Sequence, residues 1–197
     1  MTYDALLVVS FGGPEAPDQV MPFLERVTRG RGVPRERLEE VATHYDHVGG
    51  VSPIMAQSRA LVEALERGLD LPVYWGNRNA APFVADAVRE LRDRGARRAL
   101  AITTSAFGSY SGCRQYREDI ERARGEVEGA PPIDAIGPYG EHPGFLAAQV
   151  DRVRDALVGL ERPRLVFTAH SIPLTMAQTS PYERQLRAAC AHVAARS

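Results

Sequence analysis

Leu6-Leu7-Val8-Val9 runs directly into Ser10-Phe11-Gly12-Gly13-Pro14, and these nine residues carry the strongest structural signal in the chain. A short apolar run without alternation, ended by glycines, is typical of a strand that is buried on both faces of a parallel sheet. Similar apolar runs recur further along, and segments with helical periodicity lie between them. The pattern therefore predicts an α/β fold.

Predicted helices lie between successive predicted strands along the chain. Strands are predicted at residues 6–9, 71–75, 98–104, 133–136 and 165–168. Helices are predicted at residues 15–27, 34–45, 53–68, 80–94, 114–128 and 142–160, with a last helix from about residue 181. Strands that alternate with helices of this length form βαβ units with right-handed crossovers. We therefore expect Rossmann-like parallel sheets flanked by helices.

The predicted elements are unevenly distributed between two domains. Four of the strands lie before about residue 140, whereas only one strand and one helix follow residue 161. A single strand and helix cannot bury a core of their own. We therefore expect one complete domain at residues 1–160, and the first βα unit of a second, truncated domain at residues 161–197.

Composition excludes several classes of protein. Lys and Arg together number 24 against 25 acidic residues, for a net charge of −1, which does not fit the basic face of a nucleic-acid-binding protein. The basic residues are all arginine, so a lysine nucleophile, a Schiff base and a P-loop lysine are excluded. No apolar stretch reaches 18 residues and the start lacks a basic region, so we expect no signal peptide and no transmembrane segment. The two cysteines, Cys113 and Cys190, fit a reducing compartment, and we expect a cytoplasmic protein.

Four segments follow predicted strands and are expected to border one crevice. In open α/β sheets the ligand lies outside the carboxyl ends of the strands. The segments are residues 10–14, 76–79, 105–110 and 168–173. The first is a glycine turn that lacks the third glycine of the dinucleotide fingerprint, so no nucleotide cofactor is indicated.

His170 is the sharpest single candidate. It ends a predicted buried strand and is followed by Ser171-Ile172-Pro173. A neutral imidazole there can accept a proton or bind a divalent metal near neutral pH. The alternative is a histidine in the core that is satisfied by the backbone, and periodicity alone does not separate the two.

Other polar groups also allow two interpretations. Arg29 and Arg31 lie on a glycine-containing loop, where they either bind substrate carboxylates bidentately or form an ordinary solvated loop. His44 and His47 have a spacing that metal sites use, but a solvated helix end explains them better. A cluster of phenols, a hydroxyl and a thiol follows the third predicted strand, and it suits either a flat aromatic ligand or core packing. Its members are Tyr110, Ser111, Cys113 and Tyr116.

Six segments together resemble the ferrochelatases, which insert ferrous iron into a porphyrin. They are SFGGP at 10–14, TRGR at 28–31, HYDHVGGVSPI at 44–54, GNRN at 76–79, YSGCRQY at 110–116 and TAHSIP at 168–173. The resemblance is strongest to the Gram-positive branch, which metallates coproporphyrin III rather than protoporphyrin IX. It implies a chelatase-like fold, coproporphyrin III and Fe²⁺ as substrates, and a monomer in the full-length protein.

The resemblance also implies roles for individual positions. His170 matches the histidine that faces the pyrrole nitrogens and helps to hold or receive the iron. Porphyrin contacts are implied for Ser52, Tyr116, Arg29, Tyr45 and Phe11, with Arg29 and Tyr45 placed where propionates and the ring edge are held. Some relatives carry a tyrosine at the position of Phe11 that ligates the central metal. A phenyl ring cannot ligate, so we expect that face to offer only packing.

Two features of the family have no complete counterpart in these residues. A glutamate that works opposite the histidine belongs to the rest of the family's second domain, and no residue here is assigned to it. Some relatives bind a [2Fe–2S] cluster through one cysteine near the position of Cys113 and three near the C-terminus. Cys113 and Cys190 cannot complete a Cys₄ site, and Cys190 is more simply a small buried apolar residue.

Two alternatives to coproporphyrin metallation remain open at this point. One is a related tetrapyrrole chelatase that acts on protoporphyrin IX, or that inserts cobalt or iron into sirohydrochlorin or a corrin precursor. The other is a porphyrin-binding or inactive fragment. The segment at Ser52-Pro53 and the region of Tyr116 argue against the corrin-type chelatase.

Overall fold

The computed structural model describes residues 2–197, which form two compact units. The sheet unit comprises the residues up to Thr104 together with Glu118–Ala135. The second unit comprises Ser105–Arg117 and Ile136–Ser197. The domain boundary expected at residue 160 stays a prediction.

A four-stranded parallel sheet forms the centre of the sheet unit. Its strands are β1 (Ala5–Ser10), β2 (Val73–Asn77), β3 (Ala99–Thr103) and β4 (Ile133–Ala135). Their order is β2-β1-β3-β4, and every pairing is parallel. This confirms the predicted α/β class and the first four predicted strands.

Strand β1 is central because its side chains are apolar on both faces. All six of its residues are buried, and Leu7, Val8 and Val9 are 0% exposed. Val8 pairs with Trp75 of β2 on one side and with Ile102 of β3 on the other. A strand without alternation cannot leave one face in water, and β1 is accordingly buried on both of its faces.

Helices of the sheet unit pack through apolar stripes. They are α1 (Val20–Val27), α2 (Arg35–Asp46), α3 (Ile54–Gly68) and α4 (Val84–Asp93). Helix α5 (Gln115–Glu126) belongs to this unit from Glu118 onward. Helix α4 buries Val84, Ala87, Val88 and Leu91, a spacing that places them on one helical face against β1 and β2. Helices α1 and α2 share a small core of Val20, Phe23, Leu24 and Leu38.

The second unit is helical. Its helices are α6 (Pro143–Leu157), α7 (Leu174–Gln178) and α8 (Tyr182–Ala194). Helix α6 packs against α8, and each contributes buried apolar residues, namely Leu146 and Val150 from α6 and Ala189 and Val193 from α8. Within residues 2–197, no helix is both long and apolar enough to cross a membrane.

The strand predicted at 165–168 is wrong: no strand is formed there. A strand requires a hydrogen-bonded neighbour, and in the described part of the chain none pairs with this segment. Its apolar side chains stay accessible, with Val166 71% exposed and Phe167 42% exposed. The predicted helix at 15–27 also begins later, with a 3₁₀ turn at Pro17–Gln19 ahead of α1.

Candidate functional site

The carboxyl ends of β1 and β2 are held by a buried polar network. Ser10 and Asn77 are register partners, both are 0% exposed, and the Ser10 hydroxyl donates to the Asn77 side-chain carbonyl. The Trp75 indole N–H donates to Ser10 Oγ at 3.1 Å, and Asn77 Nδ2 donates to the Pro82 carbonyl at 3.2 Å. Since these buried groups satisfy one another, the network fixes the two strand-end loops.

An aromatic row extends from the end of β1. The Phe11 ring meets Phe23 of α1 edge to face with centroids 6.1 Å apart, and Phe23 meets Tyr45 of α2 at 6.3 Å. Burial raises the pKa of the Tyr45 phenol, so Tyr45 is neutral at physiological pH. Two predicted site residues, Phe11 and Tyr45, are thus brought into one row by Phe23, which sequence reasoning did not single out.

A buried ion pair lies beside this row. The Arg78 guanidinium stacks over the Phe11 ring, 5.7 Å from its centroid, and pairs with the Asp119 carboxylate of α5. The side chains of Arg78 and Asp119 are 8% and 10% exposed. A buried guanidinium needs such a partner, because an uncompensated charge is costly away from water. Nothing in the local sequence pattern around Asp119 indicates this pairing.

Ser52 joins two of the motifs. Its backbone N–H donates to the Pro14 carbonyl at 2.8 Å, and its hydroxyl accepts from the Ile54 N–H at 3.4 Å. A Cβ on Gly13 would lie 2.7 Å from the Ser52 Cβ, so only glycine allows this approach. The half-buried Ser52 is therefore held against the loop that follows β1.

Arg29 lies on the exposed loop after α1. Its backbone N–H donates to the Arg26 carbonyl at 3.3 Å, and within residues 2–197 no carboxylate lies at ion-pair distance from its guanidinium. The side chain is thus accessible to a ligand in water. His44 and His47, at the end of α2, are exposed as well.

In the second unit, a capped turn precedes α5. The Ser109 hydroxyl accepts from the Gly112 N–H at 2.8 Å, and Tyr110–Arg114 forms a π-helical turn, a feature that is frequent at functional sites. The Cys113 thiol donates to the Ser109 carbonyl at 3.0 Å, whereas Tyr116 is buried and 4% exposed. Burial raises the pKa of the Tyr139 phenol, and the nearby Tyr116 raises it further. The substrate contact expected of Tyr116 stays a prediction.

His170 is exposed, so the interpretation as a core histidine is wrong. Its Nδ1 lies 2.7 Å from the Ser171 carbonyl oxygen. A carbonyl only accepts hydrogen bonds, so Nδ1 carries the ring hydrogen in the neutral imidazole. The lone pair is then on Nε2, which is the nitrogen available for a proton or a metal ion.

No preformed metal cage surrounds this histidine. Across residues 2–197, no group of three or more His, Cys, Asp or Glu side chains has a geometry that could hold a metal ion. A cavity of about 410 Å³ does lie between residues 167–169 and α8, and Cys190 lines it. Cys190 is half-buried, rather than buried as expected. For a [2Fe–2S] cluster, Cys113 and Cys190 do not suffice as ligands.

The chain is similar to known proteins along nearly its whole length. A family model described as Ferrochelatase matches residues 3–197. A ferrochelatase of Rhodopirellula baltica is 54% identical over 202 residues, which cover 98% of this chain and 58% of that protein. The coproporphyrin III ferrochelatase of Mycolicibacterium smegmatis is 54% identical over 209 residues, 99% of this chain and 62% of that protein. That of Streptomyces coelicolor is 53% identical over 192 residues, 90% of this chain and 51% of that protein.

The chain thus spans between about half and three-fifths of the length of the curated relatives it matches, from 51% to 62% for these three.

Proposed function

The chain belongs to the ferrochelatase family, and from that premise we propose that the complete protein inserts ferrous iron into coproporphyrin III to give Fe-coproporphyrin III (coproheme) in heme biosynthesis. One observation carries the choice of porphyrin. Relatives that are 52–56% identical over most of this chain are named coproporphyrin III ferrochelatases. Its substrates are the porphyrin and Fe²⁺, and no nucleotide takes part.

The reaction exchanges protons for a metal ion. Two pyrrole N–H protons leave the macrocycle while Fe²⁺ loses water and binds the four ring nitrogens, and iron keeps its oxidation state. A neutral imidazole near the ring can take up a proton as the metal enters. The exposed His170 supports this role, since its Nδ1 is engaged by the Ser171 carbonyl and Nε2 is left with the lone pair.

The sheet unit supports a role in holding a flat macrocycle. Phe11 and Tyr45 end one aromatic row, and aromatic faces and edges pack well against a conjugated ring. Phe11 has no ligand atom, so its face contributes packing and not a bond to iron. Ser52 is proposed as a further porphyrin contact of this unit. Tyr116, which belongs to the second unit, is proposed as another.

Arg29 is proposed to bind a propionate. Coproporphyrin III carries four propionates, and a guanidinium binds a carboxylate through two parallel hydrogen bonds. The accessibility of Arg29 on its exposed loop supports this assignment.

Three further properties belong to the proposal. We place the protein in the cytoplasm, which agrees with two cysteines that are both free. We also propose a monomer. A [2Fe–2S] cluster with Cys113 as one ligand would need cysteines beyond the two in these 197 residues.

The test compares metal insertion with porphyrin binding in the complete protein. His170→Ala should abolish iron insertion while coproporphyrin III affinity stays within about tenfold, or ~1.4 kcal/mol. His142→Ala is the matched control, because His142 is exposed and caps α6 through a bond from the Gly144 N–H at 3.1 Å. Near-normal insertion by His170→Ala would contradict the assigned role.

The same assay distinguishes the competing functions. Coproporphyrin III, protoporphyrin IX and sirohydrochlorin are offered in parallel with Fe²⁺ and Co²⁺. Fastest insertion of iron into coproporphyrin III supports the proposal. A preference for either other macrocycle would replace it with another chelatase activity, and binding without insertion would indicate a porphyrin-binding protein.

A further inference from the structure

The first turn of α8 contacts two loops of the second unit. The Tyr182 hydroxyl donates to the backbone carbonyl of His170 at 3.1 Å. In the same helical turn, Gln185 is 9% exposed and its Oε1 accepts from the Gly108 N–H at 2.8 Å. One end of one helix therefore holds both the loop that bears His170 and the loop that leads to the π-helical turn.

The Tyr182 ring is itself held in place by packing. It meets Phe107 edge to face, with centroids 6.3 Å apart and planes at 90°, and Phe107 meets Phe145 of α6 at 6.4 Å. These contacts restrict the ring of Tyr182, which has only two side-chain torsions to fix. The Tyr182 hydroxyl therefore contacts His170 from a ring whose orientation is restricted by packing.

The segment around His170 has few other hydrogen bonds. Within the described residues, the segment 161–172 receives one hydrogen bond from a residue outside it, and the donor is Tyr182. The contact from Nδ1 to Ser171 lies within the segment. The orientation of the imidazole thus depends on a short stretch of backbone that Tyr182 anchors.

We propose that Tyr182 is a positioning residue for His170. Its hydroxyl fixes the main chain of His170 so that Nδ1 faces the Ser171 carbonyl and Nε2 keeps the lone pair. The inference rests on the proposed function only in taking His170 as the metal-insertion histidine. Gln185 holds the neighbouring loop at Gly108 from the same helical turn, so α8 aligns both loops together.

Tyr182→Phe is the variant that tests this proposal, because it removes the hydroxyl and keeps the ring against Phe107. Tyr74→Phe is the matched control, since it removes a phenol hydroxyl from β2 in the sheet unit. Equal far-UV circular dichroism and melting temperature among the three proteins will show that each is folded.

The first measurement needs no enzymatic activity. Ring-¹⁵N NMR of the 197-residue chain reports which nitrogen of His170 carries hydrogen in the neutral form. We expect the Nδ1–H tautomer in the parent and in Tyr74→Phe, and a shift toward Nε2–H in Tyr182→Phe. An unchanged tautomer ratio in Tyr182→Phe, or mainly Nε2–H in the parent, would overturn the proposal.

The second measurement uses the complete protein. Tyr182→Phe should lower kcat for metal insertion about three- to tenfold, the effect of one lost hydrogen bond, with the porphyrin KM within about twofold. A kcat equal to that of Tyr74→Phe would contradict the positioning role. If His170→Ala remained active while the tautomer shift was observed, the function assigned to His170 would fail and its positioning by Tyr182 would stand.

Discussion

Replacing Asp119 with alanine should destabilise the sheet unit more than any change to an exposed ion pair. The Asp119 side chain is 10% exposed, and it pairs with Arg78, which is 8% exposed and stacks on Phe11. Removing one partner of a buried ion pair costs about 3–5 kcal/mol, because the remaining charge stays away from water. Arg78 retains its contact with the Phe11 ring, so we expect a loss near the lower limit, about 3 kcal/mol.

The chain carries a suitable probe for this loss. Its single tryptophan, Trp75, lies on β2 beside β1 and reports unfolding of the sheet unit through its fluorescence. In urea, a slope of about 1–3 kcal/mol per molar converts a 3 kcal/mol loss into a midpoint that falls by about 1–3 M. An unchanged slope will show that the variant unfolds by the same transition.

Two variants test whether the loss arises from the burial of the Arg78 charge. Arg122 also contacts the Asp119 carboxylate but is 64% exposed, so Arg122→Ala should cost at most about 1 kcal/mol. The double variant Arg78→Met/Asp119→Leu should recover much of the loss, because it removes both buried charges and fills the space. The reasoning is refuted if Asp119→Ala loses no more free energy of unfolding than Arg122→Ala does.

Three other outcomes can be checked independently. In the complete protein, Arg29→Ala should weaken binding of coproporphyrin III more than that of its methyl ester, by about 1–3 kcal/mol, and equal losses by titration would show that Arg29 is only surface charge. A hydrogen bond from the Arg98 N–H lowers the pKa of Asp4 below its ordinary 3.8, so Asp4 stabilises the fold above that value and the effect is lost as pH falls through the lowered pKa. Unfolding free energies measured against pH should therefore fall less steeply in acid for Asp4→Asn, and parallel curves would argue against it. Amide protons of residues 165–168 should exchange with deuterium much faster than those of β1, and equal protection would mean that this segment is paired in solution.

Much of the fold could be predicted because its signals are local. The unbroken apolar run of β1 has only one favourable environment, a sheet covered on both faces. The apolar spacing in α4 likewise has only one face to bury. Pairing is different, since the run at 165–168 has the composition of a strand and forms none in the absence of a neighbour.

Short local elements were harder to predict. Helix α7 and the π-helical turn at Tyr110–Arg114 each contain five residues, too few to establish a periodicity. The position of the π-helical turn depends on a capping contact between Ser109 and Gly112. Such contacts become visible only once the backbone is placed.

The sequence by itself determined the α/β class, the first four strands and the family, because apolar runs and contiguous motifs are properties of neighbouring residues. Tertiary structure alone decided which side chains meet. Arg78 reaches Asp119 across 41 positions, and Tyr182 reaches His170 across 12. The physical reason is that hydrogen bonds and ion pairs depend on distance in space, and no periodicity along the chain encodes a contact between residues that folding brings together.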